Sequence, residues 1–381
     1  ARISDLLLKP GEKFDFDGST YTYPNIKMVY WAGGNPFHHH QDLNRLNLAW
    51  QKPDTIICNE WCWNSLAKRS DIVLPCTTPL ERKDIMMTPR DPYVVSMSKL
   101  IEPHGKAKND FEIFKGISRV MGLEQDFTEG KNQDQWQEWI YEQTLKQCSD
   151  SNIEIPSYKE FLKKGWFKVK APKEHTIMLK DFRKDPLNNP LNTPSGKIEI
   201  FSRTVDSFKY DDCPGHPVWM EPCEWLGMKN KPYPLHLISN QPKDKLHSQM
   251  DHGSFSKSFK IQGREPIEMN PKDAEDRKIK NGDIVKLFND RGACLAGVNI
   301  SNKVRRGVVQ ISTGAWYDPE DPKKINTLCK HGNPNVLTRD KGTSKLGQGP
   351  IAHSCLIDIE LYKNNAPIVT AHVPPIIIRE N

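Results

Sequence analysis

The chain has 381 residues and carries 54 lysines and arginines against 48 aspartates and glutamates, a net charge of +6. With 36% hydrophobic and 27% charged residues its composition is that of an ordinary globular protein, which excludes global disorder. No apolar run approaches the ~18 residues that a membrane-spanning helix needs, and at about 150 residues per domain the length predicts two or three domains.

The first residues, Ala-Arg-Ile-Ser-Asp-Leu-Leu-Leu, have the pattern of an amphipathic helix without a start signal. The chain begins at Ala1 with neither Met nor a basic-then-apolar leader, so it is expected to be a portion of a longer protein. Ile26–Ala32 reads as a strand that runs into the turn Gly33-Gly34-Asn35-Pro36. A helix is predicted over Gln41–Lys52, with Leu43, Leu46 and Trp50 on one stripe. A strand at Thr55–Cys58, a short helix at Asn64–Arg69 and a strand at Asp71–Cys76 follow. Strand, turn, helix and strand at this spacing predict a βαβ unit and a parallel sheet covered by helices.

Beyond this unit the patterns predict a strand at Tyr93–Ile101 and helices at Asp110–Met121, Asp134–Gln147 and Tyr158–Lys164. Residues 170–230 are rich in Pro, Lys and Asn; they read as a connector with one strand, at Lys197–Phe201. From about Pro232 the pattern changes to short strands: Leu235–Ser239, Ile267–Met269, Ile284–Asn289, Cys294–Ile300, Val308–Ile311 and Leu356–Leu361. Turns such as Asn281-Gly282-Asp283 lie between them, and an all-β domain, a barrel, is expected.

The nine cysteines are odd in number and scattered, with no C-x-x-C, and Cys58 and Cys62 are the one close pair. They read as small apolar residues in the core, not as metal ligands or a disulfide scaffold. Three adjacent histidines, His38-His39-His40, cannot all face one ion from a regular element, so phosphate contact or simple exposure is expected there and no metal. Basic residues are interspersed with acidic ones, which argues against nucleic acid. The turn Gly33–His40 lies between a strand and a helix, where free backbone N–H groups favour an anion such as a diphosphate. Asn59 and Glu60 end the second strand, where an α/β nucleotide-binding unit sets a polar side chain against ribose or base. A plain β-turn with a solvated loop is the alternative, because G-G-N-P is not G-x-G-x-x-G.

The segment V-Y-W-A-G-G-N-P-F-H-H-H-Q-D-L-N-R-L (29–46) resembles the bis-molybdopterin guanine dinucleotide oxidoreductases of the dimethyl sulfoxide reductase family, in the trimethylamine N-oxide and biotin sulfoxide reductase branch. Similar blocks recur at S-D-I-V-L-P-C-T-T-P-L-E-R-K-D-I (70–85), N-T-P-S-G-K-I-E-I-F-S (192–202), S-N-Q-P-K-D-K-L-H-S-Q (239–249) and H-G-N-P-N-V-L-T-R-D-K-G-T-S-K-L-G-Q-G-P (331–350). They follow the family's order over nearly the whole chain, and correspond to its C-terminal half.

The resemblance implies a Rossmann-like α/β portion over 1–125, a helical and irregular connector over 126–230, a double-psi β-barrel that binds the dinucleotide over 231–365, and a tail over 366–381. It implies that Gly33, Gly34, Asn35, His39 and Gln41 line one pterin dinucleotide and that Asn59 and Glu60 approach its ribose or guanine. His247, Ser248 and Gln249 would reach the pterin or phosphates from the barrel, and Asn335 and Gln348 would close over the pterins near the metal. Pterin and guanine edges need paired donors and acceptors, which Asn, Gln and carboxylates supply. No residue is nominated as a catalytic group or metal ligand, because the family's molybdenum-ligating serine lies in its N-terminal half. Lys245 stands where the family often has Arg, which keeps the charge without the bidentate fork. Glu81 and Arg82 read as a structural ion pair.

The activity so implied is two-electron oxygen-atom transfer from an S- or N-oxide such as trimethylamine N-oxide, dimethyl sulfoxide or biotin or methionine sulfoxide, with molybdenum and bis-molybdopterin guanine dinucleotide as cofactor. The isolated chain is expected to be inactive and to expose an apolar face to the other half of the protein. A cytochrome c is one candidate electron donor. A periplasmic location is implied, with the cytoplasm as the alternative. A non-catalytic cofactor-binding scaffold and a nicotinamide-dependent dehydrogenase are the competing readings.

Overall fold

A computed structural model describes residues 2–170 and 177–378. In chain order the strands are β1 (Lys13–Phe16), β2 (Ser19–Thr22), β3 (Met28–Ala32), β4 (Thr55–Glu60), β5 (Ile72–Pro75), β6 (Asp84–Thr88), β7 (Asp91–Met97), β8 (Trp166–Lys168), β9 (Leu235–Ile238), β10 (Pro266–Met269), β11 (Ile284–Asn289), β12 (Gly292–Ile300), β13 (Val308–Ile311) and β14 (Leu356–Leu361). The chain divides into two compact units, one of residues 1–58, 63–72 and 200–381, the other of residues 59–62 and 73–199. It passes between them inside β4 and β5, which with β3 form a three-stranded sheet in the order β3-β4-β5.

In the first unit a closed barrel runs β10-β12-β11-β14-β9-β13. Its pairing is mixed. β10 is parallel to β12 and β13 to β9, while β11 is antiparallel to both β12 and β14. The short β11–β12 connection closes opposite Asn289 and Gly292. Alternate residues fill the interior, so Leu235, Leu237, Ile267, Met269, Val285, Leu287, Leu295, Val309, Ile311 and Leu356 are buried. Before the barrel, a helix at Leu43–Ala49 is capped by Asp42, whose side chain accepts from the Arg45 amide. Its stripe of Leu43, Leu46 and Trp50 is buried as the 3.6-residue period requires. The expected helix at Asn64–Arg69 is a single 3-10 turn, Ala67–Arg69.

In the second unit β6, β7 and β8 form an antiparallel sheet. It packs with the helices Gln133–Asp150 and Tyr158–Lys164 around Val94, Tyr141, Phe161 and Phe167. Tyr141 stacks on Phe161 with ring centroids 5.0 Å apart and donates its hydroxyl to the Pro156 carbonyl at 2.8 Å. Ser157 and Glu160 form a capping box and Gly165 ends the helix in the left-handed region, which fixes both helix boundaries where the sequence predicts them.

One expected strand is absent. Lys197–Phe201 is not a strand: Ile198, Ile200 and Phe201 are exposed, and no neighbouring strand offers the segment a ladder among the described residues. Period-2 apolarity does not make a strand without a partner edge. Conversely, the β1–β2 hairpin and strands β6 and β8 carry no pattern that the sequence reading detects; β8 has three residues.

Candidate functional site

The Gly33–Gln41 turn leaves β3 through two glycines with positive φ, 81° and 73°. An L side chain is strained there. A Cβ at Gly33 would meet nothing within 4 Å, and one at Gly34 would meet only the Trp31 indole nitrogen at 3.8 Å, so open space lies over this backbone. Asn35 then caps the four-residue helix Pro36–His39, its Oδ1 accepting from the Phe37 amide at 3.0 Å. The Asn35 Nδ2 is buried without a hydrogen-bond partner among the described residues.

The three histidines diverge. His38 is buried, with Nε2 3.1 Å from the Ser65 hydroxyl and its ring stacked on Trp316. Burial, reinforced by the neighbouring His39, pushes its pKa down to about 3, so it is neutral. His40 is buried too, with Nδ1 2.7 Å from the Gln41 carbonyl. Only His39 is exposed; of the two expectations, phosphate contact or simple exposure, the second does not hold for His38 and His40. Pro36 at the first helical position starts a turn that sends successive side chains in different directions. Gln41 donates to the His39 carbonyl at 2.9 Å and closes the turn on itself.

Two asparagines of the 331–335 segment brace this turn. Asn333 Nδ2 donates to the Phe37 carbonyl and Asn335 Nδ2 to the His38 carbonyl, each at 3.1 Å. The Thr338 hydroxyl donates to Asn335 Oδ1, so the Asn335 amide group is engaged at both atoms within the chain. Gln348 accepts from the Arg2 guanidinium at 2.6 Å, and its Nε2 is buried without a partner among the described residues.

On the barrel side, His247 has φ 53° and its carbonyl passes close over Gly314, where a Cβ would lie 1.9 Å from the His247 oxygen. The Trp316 indole donates to the Ser248 carbonyl at 2.9 Å. His247 and Gln249 are exposed and Ser248 is buried. The rings of His39 and His247 meet edge to face with centroids 5.3 Å apart, so the turn and the barrel loop come together. Lys245 does not reach outward: it is buried against Asp244, Asp251 and Glu265 at 3.1–3.3 Å.

Asn59 and Glu60 belong to the second unit. Asn59 donates to Asp110 Oδ1 at 2.8 Å, and Glu60 accepts from the Trp61 amide. In the same unit the expected Glu81–Arg82 pair does not form. Glu81 closes a capping box with Thr78 and accepts from the His104 amide, while Arg82 turns to the Thr77 carbonyl and Asp84. Adjacent residues rarely face each other, and the capping box takes the carboxylate.

Asp251, His331 and His372 gather in the first unit with potential metal-ligating atoms within 4.8 Å of one another. Lys260 and Lys245 stand 2.9 and 3.3 Å from Asp251 Oδ1, and His372 Nε2 lies 2.9 Å from Oδ2. Two ammonium groups already neutralise this carboxylate, and the cluster reads as a buried hydrogen-bonded charge network. Cys58, Cys294, Cys329 and Cys355 are buried and Cys223 is exposed. Sequence reasoning did not select Trp31, Asn333, Gly314, Trp316 or Arg69. Their roles depend on partners distant in sequence, and only the glycine carries a hint.

Residues 5–120 match the molybdopterin oxidoreductase family and residues 235–356 the molydopterin dinucleotide binding domain. The chain is 43% identical to a dimethyl sulfoxide/trimethylamine N-oxide reductase of Cereibacter sphaeroides and 44% identical to a trimethylamine-N-oxide reductase of Haemophilus influenzae, over 98% of its length in both cases. It is 43% identical over 96% of its length to a biotin sulfoxide reductase of Cereibacter sphaeroides. It spans 46%, 46% and 49% of these relatives, about half of each. Among solved structures, acetylene hydratase from Pelobacter acetylenicus matches with a TM-score of 0.67 at 19% identity, over 89% of this chain and 45% of that one, a likeness of fold. With both domains matched in order, and with reductases of this kind at about 40% identity along nearly its full length, the chain carries a molybdopterin oxidoreductase region followed by a molydopterin dinucleotide binding domain.

Proposed function

We propose that this chain forms part of the cofactor shell of a molybdenum-dependent S- or N-oxide reductase that carries bis-molybdopterin guanine dinucleotide. The observation that carries the reading is the meeting of two ligand-ready segments, the Gly33–Gln41 turn and the His247–Gln249 loop, at the His39–His247 contact. The residues present fit such a group. Open space over Gly33 and Gly34 admits a close backbone approach, and Asn35 Nδ2, Gln348 Nε2 and Trp31 Nε1 are buried donors with no partner among the described residues. Pterin and guanine edges require donors of this kind, and a diphosphate suits the exposed amides of a glycine turn.

In this reading Gly33, Gly34, Asn35, His39 and Gln41 hold one dinucleotide, and His247, Ser248 and Gln249 reach its pterin or phosphates. Asn59 and Glu60 serve ribose or guanine. Gln348 closes over the pterin with its free amide, and Asn335 acts by holding the His38 carbonyl. When bound, the cofactor supplies two-electron oxygen-atom transfer; the chain's task is to bind it, orient it and exclude water. The α/β portion would be Rossmann-like and the mixed six-stranded barrel of the double-psi type. The substrate would be a small S- or N-oxide, the remaining half of the protein would supply the metal-ligating residue, and the location would be periplasmic.

The test is elemental molybdenum, together with GMP released by acid, on protein from the whole reading frame that contains this segment. About two GMP per molybdenum is expected for a cofactor of two dinucleotides. Protein with neither, from cells that load a control molybdoenzyme, would leave a fold without its cofactor. The isolated 381 residues should not reduce trimethylamine N-oxide with a viologen donor.

A further inference from the structure

Arg69 ends the 3-10 turn Ala67–Arg69 and is half-buried. Its guanidinium carbon lies 4.8 Å from the centre of the Phe37 ring and 4.7 Å from that of Tyr317, two rings that are themselves nearly parallel with centroids 6.1 Å apart. Its Nη1 donates to the Ser65 carbonyl at 2.9 Å, and its own carbonyl accepts from the Trp50 indole at 3.1 Å. Among the described residues no carboxylate forms an ion pair with it. Its charge is therefore held by two aromatic faces and a carbonyl.

The contacts spread from there into the glycine turn. Phe37 packs edge-on against Trp50, Trp50 against Trp31, and the Trp31 indole nitrogen lies 3.8 Å from where a Cβ on Gly34 would stand. Ser65, to which Arg69 donates, bonds His38 Nε2 through its hydroxyl and donates to the Tyr317 carbonyl. One cation thus ties the turn, the 64–69 segment and the 316–317 segment together. We infer that Arg69 is the positioning residue of the cofactor turn, fixing Phe37 and with it the Gly33–Asn35 backbone through paired cation–π contacts. The inference rests on the reading of that turn as a dinucleotide site. Arg69 acts through Phe37 and is not placed in contact with the ligand.

The test uses protein from the whole reading frame, with GMP retained after exhaustive dialysis and the thermal midpoint of the cofactor-free protein as separate readouts. Arg69→Lys keeps the cation without the flat guanidinium, Arg69→Met removes the charge, and Leu66→Ala removes a fully buried apolar side chain from the same segment and leaves the cation in place. The loss of two cation–π faces predicts that Arg69→Met retains about tenfold less GMP, with Arg69→Lys between it and wild type. Leu66→Ala should lower the thermal midpoint as much while retaining its GMP. The inference is overturned if Arg69→Met retains GMP as well as Arg69→Lys, or if GMP loss tracks the thermal midpoint across all three variants. If Arg69→Met does not fold, Arg69→Gln is judged by the same criterion, and failure of both neutral variants to fold would show a purely structural role. Wild-type protein without GMP would overturn the functional reading itself, a result distinguishable from any variant difference.

Discussion

The imidazoles of His39 and His247 meet edge to face, one from the turn after β3 and the other from the loop after β9. Both rings are on exposed residues, whereas His38 and His40 on either side of His39 are buried. The turn thus presents one histidine outward and uses the other two to anchor itself. The turn also holds a buried donor, Asn35 Nδ2, without a partner among the described residues, and it separates ligand binding from folding in a testable way.

Asn35 does two jobs with two atoms. Oδ1 caps the Pro36–His39 helix, and Nδ2 has no partner. Asn35→Asp keeps the cap, since Asn and Asp are equivalent there, and should change stability by less than about 0.5 kcal/mol. It replaces a free donor by an acceptor with a negative charge, so the GMP content of protein from the whole reading frame should fall severalfold. Asn35→Ala should lose the cap as well, at about 1 kcal/mol. Urea unfolding beside GMP content separates these effects; equal GMP in the wild type and the Asp variant would remove Asn35 from the site.

Glu224 lies in the segment before the barrel and locks it to the barrel. Arg291 grips its carboxylate with both terminal nitrogens at 2.7 and 2.9 Å, Arg339 adds a contact at 2.6 Å, and the Leu356 amide donates at 2.8 Å. Burial pushes the carboxyl pKa up, but the arginines and the amide together pull it below the ordinary value. Glu224→Ala strands two guanidinium groups and should cost about 3 kcal/mol or more in urea unfolding. Because the folded value is the lower one, the stabilisation is complete above the unfolded carboxyl pKa of about 4.3 and is lost as pH falls below it. A cost under about 1 kcal/mol would make the grip superficial.

Gly314 lies beneath the His247–Ser248 backbone, with φ 97°. A Cβ there would come 1.9 Å from the His247 carbonyl oxygen and 3.2 Å from the Ser248 nitrogen, so the backbone itself would have to move. Gly314→Ala should destabilise by at least about 2 kcal/mol, from left-handed strain plus displacement of the loop. The 247–249 amides should exchange hydrogen faster than in the wild type, whereas those of β11 and β12 should not. Uniform acceleration across the barrel would instead indicate general loosening.

What was legible in the sequence follows from the range of each signal. β11, β13 and β14 appear where alternation and flanking turns predict them, because one buried face imposes period 2 on the residues themselves. The Gly33-Gly34 turn was legible because only glycine adopts its backbone freely. Lys197–Phe201 misled for the opposite reason: its alternation is genuine, but strand formation depends on an edge elsewhere. Arg69 and Asn333 were silent, since an arginine between two rings and an asparagine under a carbonyl have no local pattern. Lys245, which stands where the family often has Arg, is consumed by Asp251 and Glu265, partners that no local pattern announces.

Histidine burial sets the acid limit of the fold. Burial is the leading cause by which the pKa values of His38, His40, His236 and His331 are lowered, with His38 pushed down to about 3. An unfolded chain takes up these protons near pH 6.5, while the folded chain does not. More protons on the unfolded state means that stability rises with pH across this window, so it should fall as pH drops from about 6.5. Each such histidine adds up to about 1.4 kcal/mol per pH unit to the slope, until its folded pKa is reached. Urea midpoints at pH 7.5, 6 and 5 should decline steadily, beginning well above the carboxyl range in which Glu224 acts. His38→Gln can still bond the Ser65 hydroxyl and should flatten the decline by one proton's worth. A slope unchanged by that substitution would mean that His38 is protonated in the folded protein, which its stacking on Trp316 and its burial argue against.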